Sequence, residues 1–255
     1  MKLAACYTVF NGLDMLKKSI DQIFNHVDYV IIAYQTVSNT GNENIDLLSQ
    51  LEPYERIKNV VLIEFNPKLT IHTKQNERNK HNLLLQKAIE LGCSHFFISA
   101  CDHFYDENEF KYAKKQCEIE NLDVSFTAMY TYYKHPTYQI TPIEAYFMPF
   151  IIKIHESTCF DKIKGFPVYV DPALQINTFR NWRTFNHSEI MLHHYSMIRK
   201  DIKEKFINAA ASVRWSPQQK ERFISEYEKF DIEKNTDLEY FGKRKCKIVD
   251  NYFNL

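Results

Sequence analysis

The sequence predicts an α/β protein with a doubly wound sheet, and two observations lead to that fold class. Short apolar runs alternate with segments of helical apolar spacing through the first part of the chain, an order typical of βαβ units. Turn residues separate these segments, as at Asn11-Gly12, and Gly92 follows a long helix-like stretch. With 255 residues, 45% of them hydrophobic, the chain can form one large domain with an appendage.

The elements are predicted in chain order from their apolar spacing. The first part contains buried strands and helices in alternation, with strands at 3–10, 27–34, 60–65 and 96–99 and helices at 14–24, 45–51 and 77–91. The rhythm then changes to a helix at 109–120 and strands at 123–133, 147–154, 166–170 and 190–194. Two helices follow, at 201–212 and 218–230, the second with Ser216 as N-cap and Pro217 at its first position. The charged tail at 231–255 is predicted as a loop and a short helix.

Composition and charge exclude several classes of protein. The 32 basic residues balance the 32 acidic ones, so neither a nucleic-acid coat nor a membrane-surface patch is indicated. No apolar run approaches the ~20 residues of a membrane span, and no glycine-rich phosphate loop occurs. The first residues lack a signal-peptide pattern and the six cysteines lack CxxC spacing. We therefore expect a cytoplasmic protein with reduced thiols.

The polar residues after the predicted strand at 96–99 carry the clearest chemical signal. Asp102 follows that strand, at the edge where open α/β sheets bind ligands, and His103 comes next. A second imidazole pair at 193–194 is followed closely by the basic pair at 199–200. A carboxylate, a distant histidine and nearby cations are the groups needed to hold a divalent metal and a diphosphate. The alternative for Asp102 is a cap on the following turn.

Four segments, in this order, resemble the GT-A class of nucleotide-sugar glycosyltransferases, particularly its family 2-like members. They are LAACYTVFNGLDMLKKSIDQI, VDYVIIAYQTVSNTGN, NERNKHNLLLQKAIELGCSHFFISACDHFY and EIMLHHYSMIRKDI. The resemblance implies a Rossmann-like catalytic domain with a mixed sheet over 1–212, and a helical extension packed on it over 213–255. It also implies transfer of a sugar from a nucleotide diphosphate donor, of UDP- or GDP-sugar type, to a glycan or other acceptor hydroxyl, with inversion.

The resemblance implies a metal site built on the family's DxDE pattern. Asp102 takes the position of the second aspartate, the usual direct ligand, whereas Ala100 replaces the first aspartate and His103 the following acidic residue. The late histidine of the family falls on His194, because it precedes the aromatic-serine pair. Adjacent histidines on a strand face opposite ways, so His193 would point elsewhere. We expect Asp102, His194 and His103 to hold Mn²⁺ or Mg²⁺, and Mn²⁺ accepts imidazole more readily.

Contacts to the donor are expected from the helix before the Asp102 strand and from the basic pair after His194. The candidates are Arg78, Asn79, Asn82, Arg199 and Lys200. Arg78 is the preferred phosphate or sugar contact, because a guanidinium can bind two oxygens at once. The alternative for Arg78, Lys80 and Lys74 is an ordinary solvated helix face.

An inverting transferase needs one general base beside the acceptor hydroxyl. Glu144, between a proline turn and an aromatic strand, and Asp171, before Pro172, are the two candidates. Two other functions stay open at this point. A catalytically inactive nucleotide-sugar-binding module is one, since Ala100 removes an aspartate from the motif. A nucleotidyltransferase is the other, although it usually has a glycine-rich N-terminal loop that Asn11-Gly12 does not supply.

Overall fold

The parallel half of the sheet forms from the four apolar runs that begin the chain. A computed structural model describes residues 1–199, 201–209, 213–239 and 244–255. Its first strands are β1 (Leu3–Val9), β2 (Tyr29–Tyr34), β3 (Val60–Glu64) and β4 (His95–Ala100), and they pair in parallel in the order β3-β2-β1-β4. Most residues of β1, β2 and β4 are buried, as expected for strands covered on both faces.

Helices connect these strands and set the position of the ligand crevice. They are α1 (Leu13–Ile23), α2 (Leu47–Glu55) and α3 (Thr73–Glu90), and a short 3₁₀ turn at Phe24–His26 follows α1. The chain moves outward from β1 to β3 and then returns across the sheet to β4. Because such crossovers are right-handed, this reversal places α3 on the opposite face from α1 and makes the β1–β4 gap the switch point of the sheet.

The rest of the sheet is mainly antiparallel. It contains β5 (His103–Phe104), helix α4 (Glu107–Ile119), β6 (Val124–Tyr133), β7 (Tyr138–Thr141), β8 (Met148–Lys153), β9 (Trp182–Thr184) and β10 (Met191–Met197). β8 pairs antiparallel with β4 and β6, while β10 runs parallel to β6 and antiparallel to β5. The expected doubly wound, mixed α/β sheet is therefore confirmed.

The C-terminal part combines helices with an unpredicted sheet edge. Helices α5 (Ile202–Asn208) and α6 (Pro217–Lys229) lie near the predicted positions, and Ser216 forms a capping box at the start of α6. The predicted loop and short helix of the tail are wrong, because β11 (Asp237–Leu238) and β12 (Arg244–Ile248) form there, and β12 pairs with β7. The division of the chain at residue 212 stays a prediction, and residues 210–212 lie outside the described ranges.

The strand predicted at 166–170 is also wrong. This segment runs without strand pairing, and a 3₁₀ turn at Pro172–Leu174 follows it. Its apolar side chains nevertheless pack against the protein, since the Phe166 ring contacts the rings of Phe126 and Phe179. The apolar residues that suggested a strand therefore belong to a loop that packs on the sheet. Among the described residues, no helix combines the length and apolarity needed to cross a membrane.

Candidate functional site

The carboxyl ends of the parallel strands border a cavity of about 250 Å³. Residues that follow β1, β2 and β4 face it, namely Asn11, Gln35 and Asp102. Side chains from α3, β10 and α5 complete its wall, namely Lys80, His194 and Lys205. The cavity lies at the β1–β4 switch point, the place where open α/β sheets bind their ligands.

An ion pair between Asp102 and Arg199 forms one wall of this cavity. The Nη2 of Arg199 lies 2.5 Å from Oδ2 of Asp102, and the two side chains are only 12% and 7% exposed. The backbone N–H of Tyr195 on β10 donates to the carbonyl of Asp102 at 2.9 Å, which fixes the turn after β4. Burial raises the pKa of Asp102, but the Arg199 guanidinium outweighs that effect and holds the pKa below its ordinary value. Asp102 is therefore an ionised carboxylate at neutral pH.

Gly12 makes room for the guanidinium of Arg199. A Cβ atom at Gly12 would lie 1.5 Å from Nη1 of Arg199, and the glycine has a φ of +79°. A side chain at this position would therefore meet both a steric and a conformational penalty. The Asn11-Gly12 turn of the sequence is thus also a packing requirement of the cavity.

The three expected metal ligands lie together. One ligand atom each from Asp102, His103 and His194 lies within 4.8 Å of the other two. Nε2 of His194 lies 3.9 Å from Oδ1 of Asp102, and the His103 and His194 rings meet edge to face with centroids 5.1 Å apart. Burial lowers the pKa of both imidazoles, that of His194 to about 3, so both are neutral at pH 7.

The two adjacent histidines of β10 face opposite sides of the strand, as expected. His194 lines the cavity, whereas His193 packs among aromatic rings and its Nδ1 lies 2.6 Å from the Tyr132 hydroxyl. His103 packs against the His194 ring and does not line the cavity. Among the described residues, the buried Nδ1 atoms of His103 and His194 have no hydrogen-bond partner. The sequence-based preference for His194 over His193 agrees with this placement.

Two lysines bring positive charge into the cavity. Nζ of Lys80 donates to Oε1 of Gln35 at 2.7 Å, and Nζ of Lys205 donates to the carbonyl of Ser196. Within the part of the chain that the structure describes, neither ammonium lies within 4.0 Å of a carboxylate oxygen. Burial lowers the pKa of Lys80 to about 8 and also lowers that of Lys205. Because a buried cation without a counter-ion is costly, these lysines favour an anionic ligand.

The α3 residues expected to contact a donor do not line the cavity. The guanidinium of Arg78 donates to Oε1 of Gln75 at 2.9 Å and to the carbonyl of Pro172 at 3.4 Å. Asn79 accepts from the Gln75 side chain, and both amide atoms of Asn82 bind the backbone of Phe160. These contacts hold loops against α3, and the expected donor contacts of Arg78, Asn79 and Asn82 stay predictions.

Lys80 is the α3 cation that faces the cavity, and a signal in the sequence marks it. It is separated by four residues from Asn76 and from Leu84, and all three are buried on one side of α3. A lysine within a buried helical stripe needs an explanation that a solvated lysine does not. Lys205 carries a weaker signal, since it lies beside buried Phe206 on a short helix.

The two candidate bases lie outside this cavity and differ in their bonding. Asp171 uses both oxygens, since Oδ2 lies 2.8 Å from Nζ of Lys74 and Oδ1 accepts the backbone N–H of Ala173. Glu144 accepts a hydrogen bond of 3.1 Å from the Thr131 hydroxyl, and Arg244 lies 3.5 Å from the same oxygen. Thr131 on β6 is the register partner of His194 on β10. Glu144 therefore lies one strand away from the cavity wall.

The predicted basic pair after His194 is described only in part. Arg199 lines the cavity, as expected for a donor contact. Lys200 lies outside the described residues.

The chain is similar to solved structures of one S. aureus protein, TarS. Two crystal structures, of TarS and of TarS 1-349, match over 89% of this chain with 10% identity and TM-scores of 0.46 and 0.48, and the match covers 43% and 70% of those chains. Complexes of TarS 1-349 with UDP and with UDP-GlcNAc match over 51% of this chain with 12% identity and TM-scores of 0.39 and 0.38. The chain spans about a third of the length of these two complexes, 36% and 35%. Structural similarity at this low identity and TM-score does not indicate an activity for this chain.

No protein-family model matches the chain, and no curated protein matches it. The case for a function therefore depends on the cavity and its side chains.

Proposed function

We propose that this chain is a glycosyltransferase that moves a sugar from a nucleoside diphosphate donor to an acceptor hydroxyl. The observation that carries the proposal is the placement of Lys80, Arg199 and Lys205 around one cavity at the switch point of the sheet. Neither Lys80 nor Lys205 has a carboxylate partner among the described residues, so a diphosphate would supply the missing negative charge, and it fits such an electropositive crevice. The donor is of UDP- or GDP-sugar type.

The reaction is a single displacement at the anomeric carbon of the donor sugar. The acceptor oxygen forms the new bond to that carbon while the bond to the diphosphate oxygen breaks. The electron pair of the broken bond leaves with the nucleoside diphosphate, and the acceptor proton passes to a carboxylate. One attack from the side opposite the leaving group inverts the anomeric configuration. The cavity's cations stabilise the charge that develops on the leaving diphosphate.

Glu144 is the better candidate for the base. Its carboxylate accepts a hydrogen bond from the Thr131 hydroxyl. Thr131 is the register partner of His194, which lines the cavity. Asp171 is already committed to an ion pair with Lys74 and to capping a 3₁₀ turn. Both carboxylates lie near a cation, but Arg244 is 3.5 Å from Glu144 whereas Lys74 is 2.8 Å from Asp171. Glu144 is therefore the less tightly paired of the two and the more available to accept a proton.

Paired variants test this assignment. We expect Glu144→Gln to lower the transfer rate by about 10²–10⁴-fold, as general bases typically contribute that much, while donor affinity stays within about twofold. Asp171→Asn should lower thermal stability instead, because it weakens an ion pair and a cap, and should spare transfer. The measurement is product formation with a panel of UDP- and GDP-sugars and glycan acceptors. Loss of transfer in Asp171→Asn with normal transfer in Glu144→Gln would exchange the two roles.

A second candidate function is a binding module that holds a nucleotide-sugar without turning it over. Ala100, which lines the cavity where the resembled family has an aspartate, favours this alternative. A protein that is stabilised by nucleoside diphosphates but transfers and hydrolyses none of the donor sugars would select it.

A further inference from the structure

The position of Arg199 conflicts with the expected metal site. Its guanidinium is bonded to Oδ2 of Asp102, the carboxylate that a divalent ion would need. The side chains of Arg199 and Asp102 are only 12% and 7% exposed, and the guanidinium packs closely against Gly12. Arg199 thus already supplies the positive charge that a metal would bring to this carboxylate.

The remaining ligands do not fit a hard divalent cation. Mg²⁺ and Mn²⁺ prefer several oxygen ligands, but the cluster offers one carboxylate, already paired, and two imidazoles. Ala100 supplies no ligand at the position of the missing aspartate. A second cation, Lys205, also acts on the electrostatics of Asp102 and His194. A divalent ion placed here would meet two positive side chains and only one negative one.

The same cations are arranged around the cavity where a diphosphate would bind. Arg199 lies beside Asp102, Lys205 lines the cavity from α5, and Lys80 lines it from α3. Neither lysine has a carboxylate oxygen within 4.0 Å in the described ranges. Glu77 also lines the cavity, but its carboxylate is paired with Lys74 at 2.7 Å. The cavity is therefore electropositive before any ligand enters.

We infer that this chain neutralises the donor diphosphate with Arg199, Lys80 and Lys205 and needs no divalent metal to bind it. This inference rests on the proposed function, and it departs from the metal dependence that the sequence resemblance implies. The role of His194 is then to shape the cavity wall as a neutral imidazole beside Asp102.

The test compares nucleotide binding with and without metal. Protein freed of metal with EDTA is titrated with UDP and GDP, and with UMP and GMP, while its melting temperature and its affinity are measured. We expect UDP or GDP to stabilise the protein more than the matching monophosphate in EDTA, and added Mn²⁺ to leave the shift unchanged. A diphosphate shift that appears only with Mn²⁺ would overturn the inference. No shift with any nucleotide under either condition would overturn the proposed function as well.

Variants on α5 and at Asp102 sharpen the test. Lys205→Met should weaken diphosphate binding in EDTA by about 10–100-fold, the loss typical for a hydrogen bond between charged groups. Lys203→Met is the matched control, since Lys203 lies on the same helix with a 58% exposed side chain and should bind normally. Asp102→Asn should keep a diphosphate shift in EDTA because Arg199 remains. Equal binding by the two lysine variants, or loss of the shift in Asp102→Asn, would contradict the inference.

Discussion

At the scale of single residues, the cavity depends on a glycine that no chemical motif identifies. The guanidinium of Arg199 occupies the space where a side chain at Gly12 would begin. Arg199 in turn sets the charge of Asp102 and contributes to the positive wall of the cavity. One missing Cβ thus permits the contact on which the proposed binding of a diphosphate depends.

Gly12→Ala should therefore weaken both folding and binding. Its positive φ costs about 1–2 kcal/mol for a residue with a Cβ, and the displaced guanidinium should lower UDP or GDP affinity by about tenfold or more. Gly165→Ala is a close control, because Gly165 has a φ of +76° and no atom within 4 Å of its would-be Cβ. We expect thermal unfolding to show a loss in both variants and calorimetry to show weaker binding only in Gly12→Ala. Equal affinity in the two variants would contradict the role given to Arg199.

Lys80 predicts a pH dependence of binding. Its pKa is about 8 because burial disfavours the ammonium, and a bound diphosphate favours the charged form and raises that pKa. Affinity should fall as pH rises from about 7 to above 8, because Lys205, with a pKa of about 7, and then Lys80 lose their charge over this range. Each of these deprotonations should lower affinity by up to about tenfold per pH unit, with proton uptake on binding. Calorimetry in buffers of different ionisation enthalpy measures that uptake. Lys80→Met should remove the part of the decline centred near pH 8, and an unchanged profile would be evidence against contact with the ligand.

The residues of the candidate site were predictable to different degrees. Asp102 and His194 follow from short motifs, because each comes directly after or within an apolar strand that carries it to the sheet edge. The four-residue spacing of Lys80 from Leu84 favours Lys80 over Arg78, but the choice also depends on which face of α3 meets the cavity. The Asp102–Arg199 pair joins two distant segments, so no local pattern reports it.

At the scale of elements, local sequence signals explain the helices better than the sheet edges. The start of α6 follows from Pro217 at its first position and from Ser216 and Gln219, which form a capping box. β12 was missed because only Cys246 in it is well buried and its other side chains are mostly charged or exposed. β12 lies next to the sheet edge, with only the two-residue β11 outside it. Charged residues are typical of strands near an edge, but they also suggest a solvated loop. Pairing with β7, which the sequence does not reveal, decides between the two.

The α6 capping box allows a direct test of one element. Ser216→Ala removes the hydroxyl that accepts the backbone N–H of Gln219, so it should lower the free energy of unfolding by about 1 kcal/mol. Ser225→Ala, inside the same helix, should cause no loss, because alanine has the higher helix propensity. Chemical denaturation of the two variants measures the difference. A loss of equal size in both would show that the cap is not the cause.

At the scale of the whole molecule, the strand order places the site. The chain runs outward through β1, β2 and β3 and returns to β4, and the resulting crevice holds the ends of the strands that carry Asn11, Gln35 and Asp102. The alternation of apolar runs with helices was enough to predict this half. The antiparallel half, with β10 inserted between β5 and β6, brings His194 and Arg199 to the same crevice, and the sequence alone does not specify that insertion.

The most direct measurement of the central claim is a crystal structure of the protein with bound UDP or GDP. We expect the diphosphate to lie in the cavity at the β1–β4 switch point, with phosphate oxygens about 2.7–2.9 Å from the nitrogen atoms of Lys80, Arg199 and Lys205. A nucleotide bound elsewhere, or a diphosphate that contacts none of these three side chains, would contradict it.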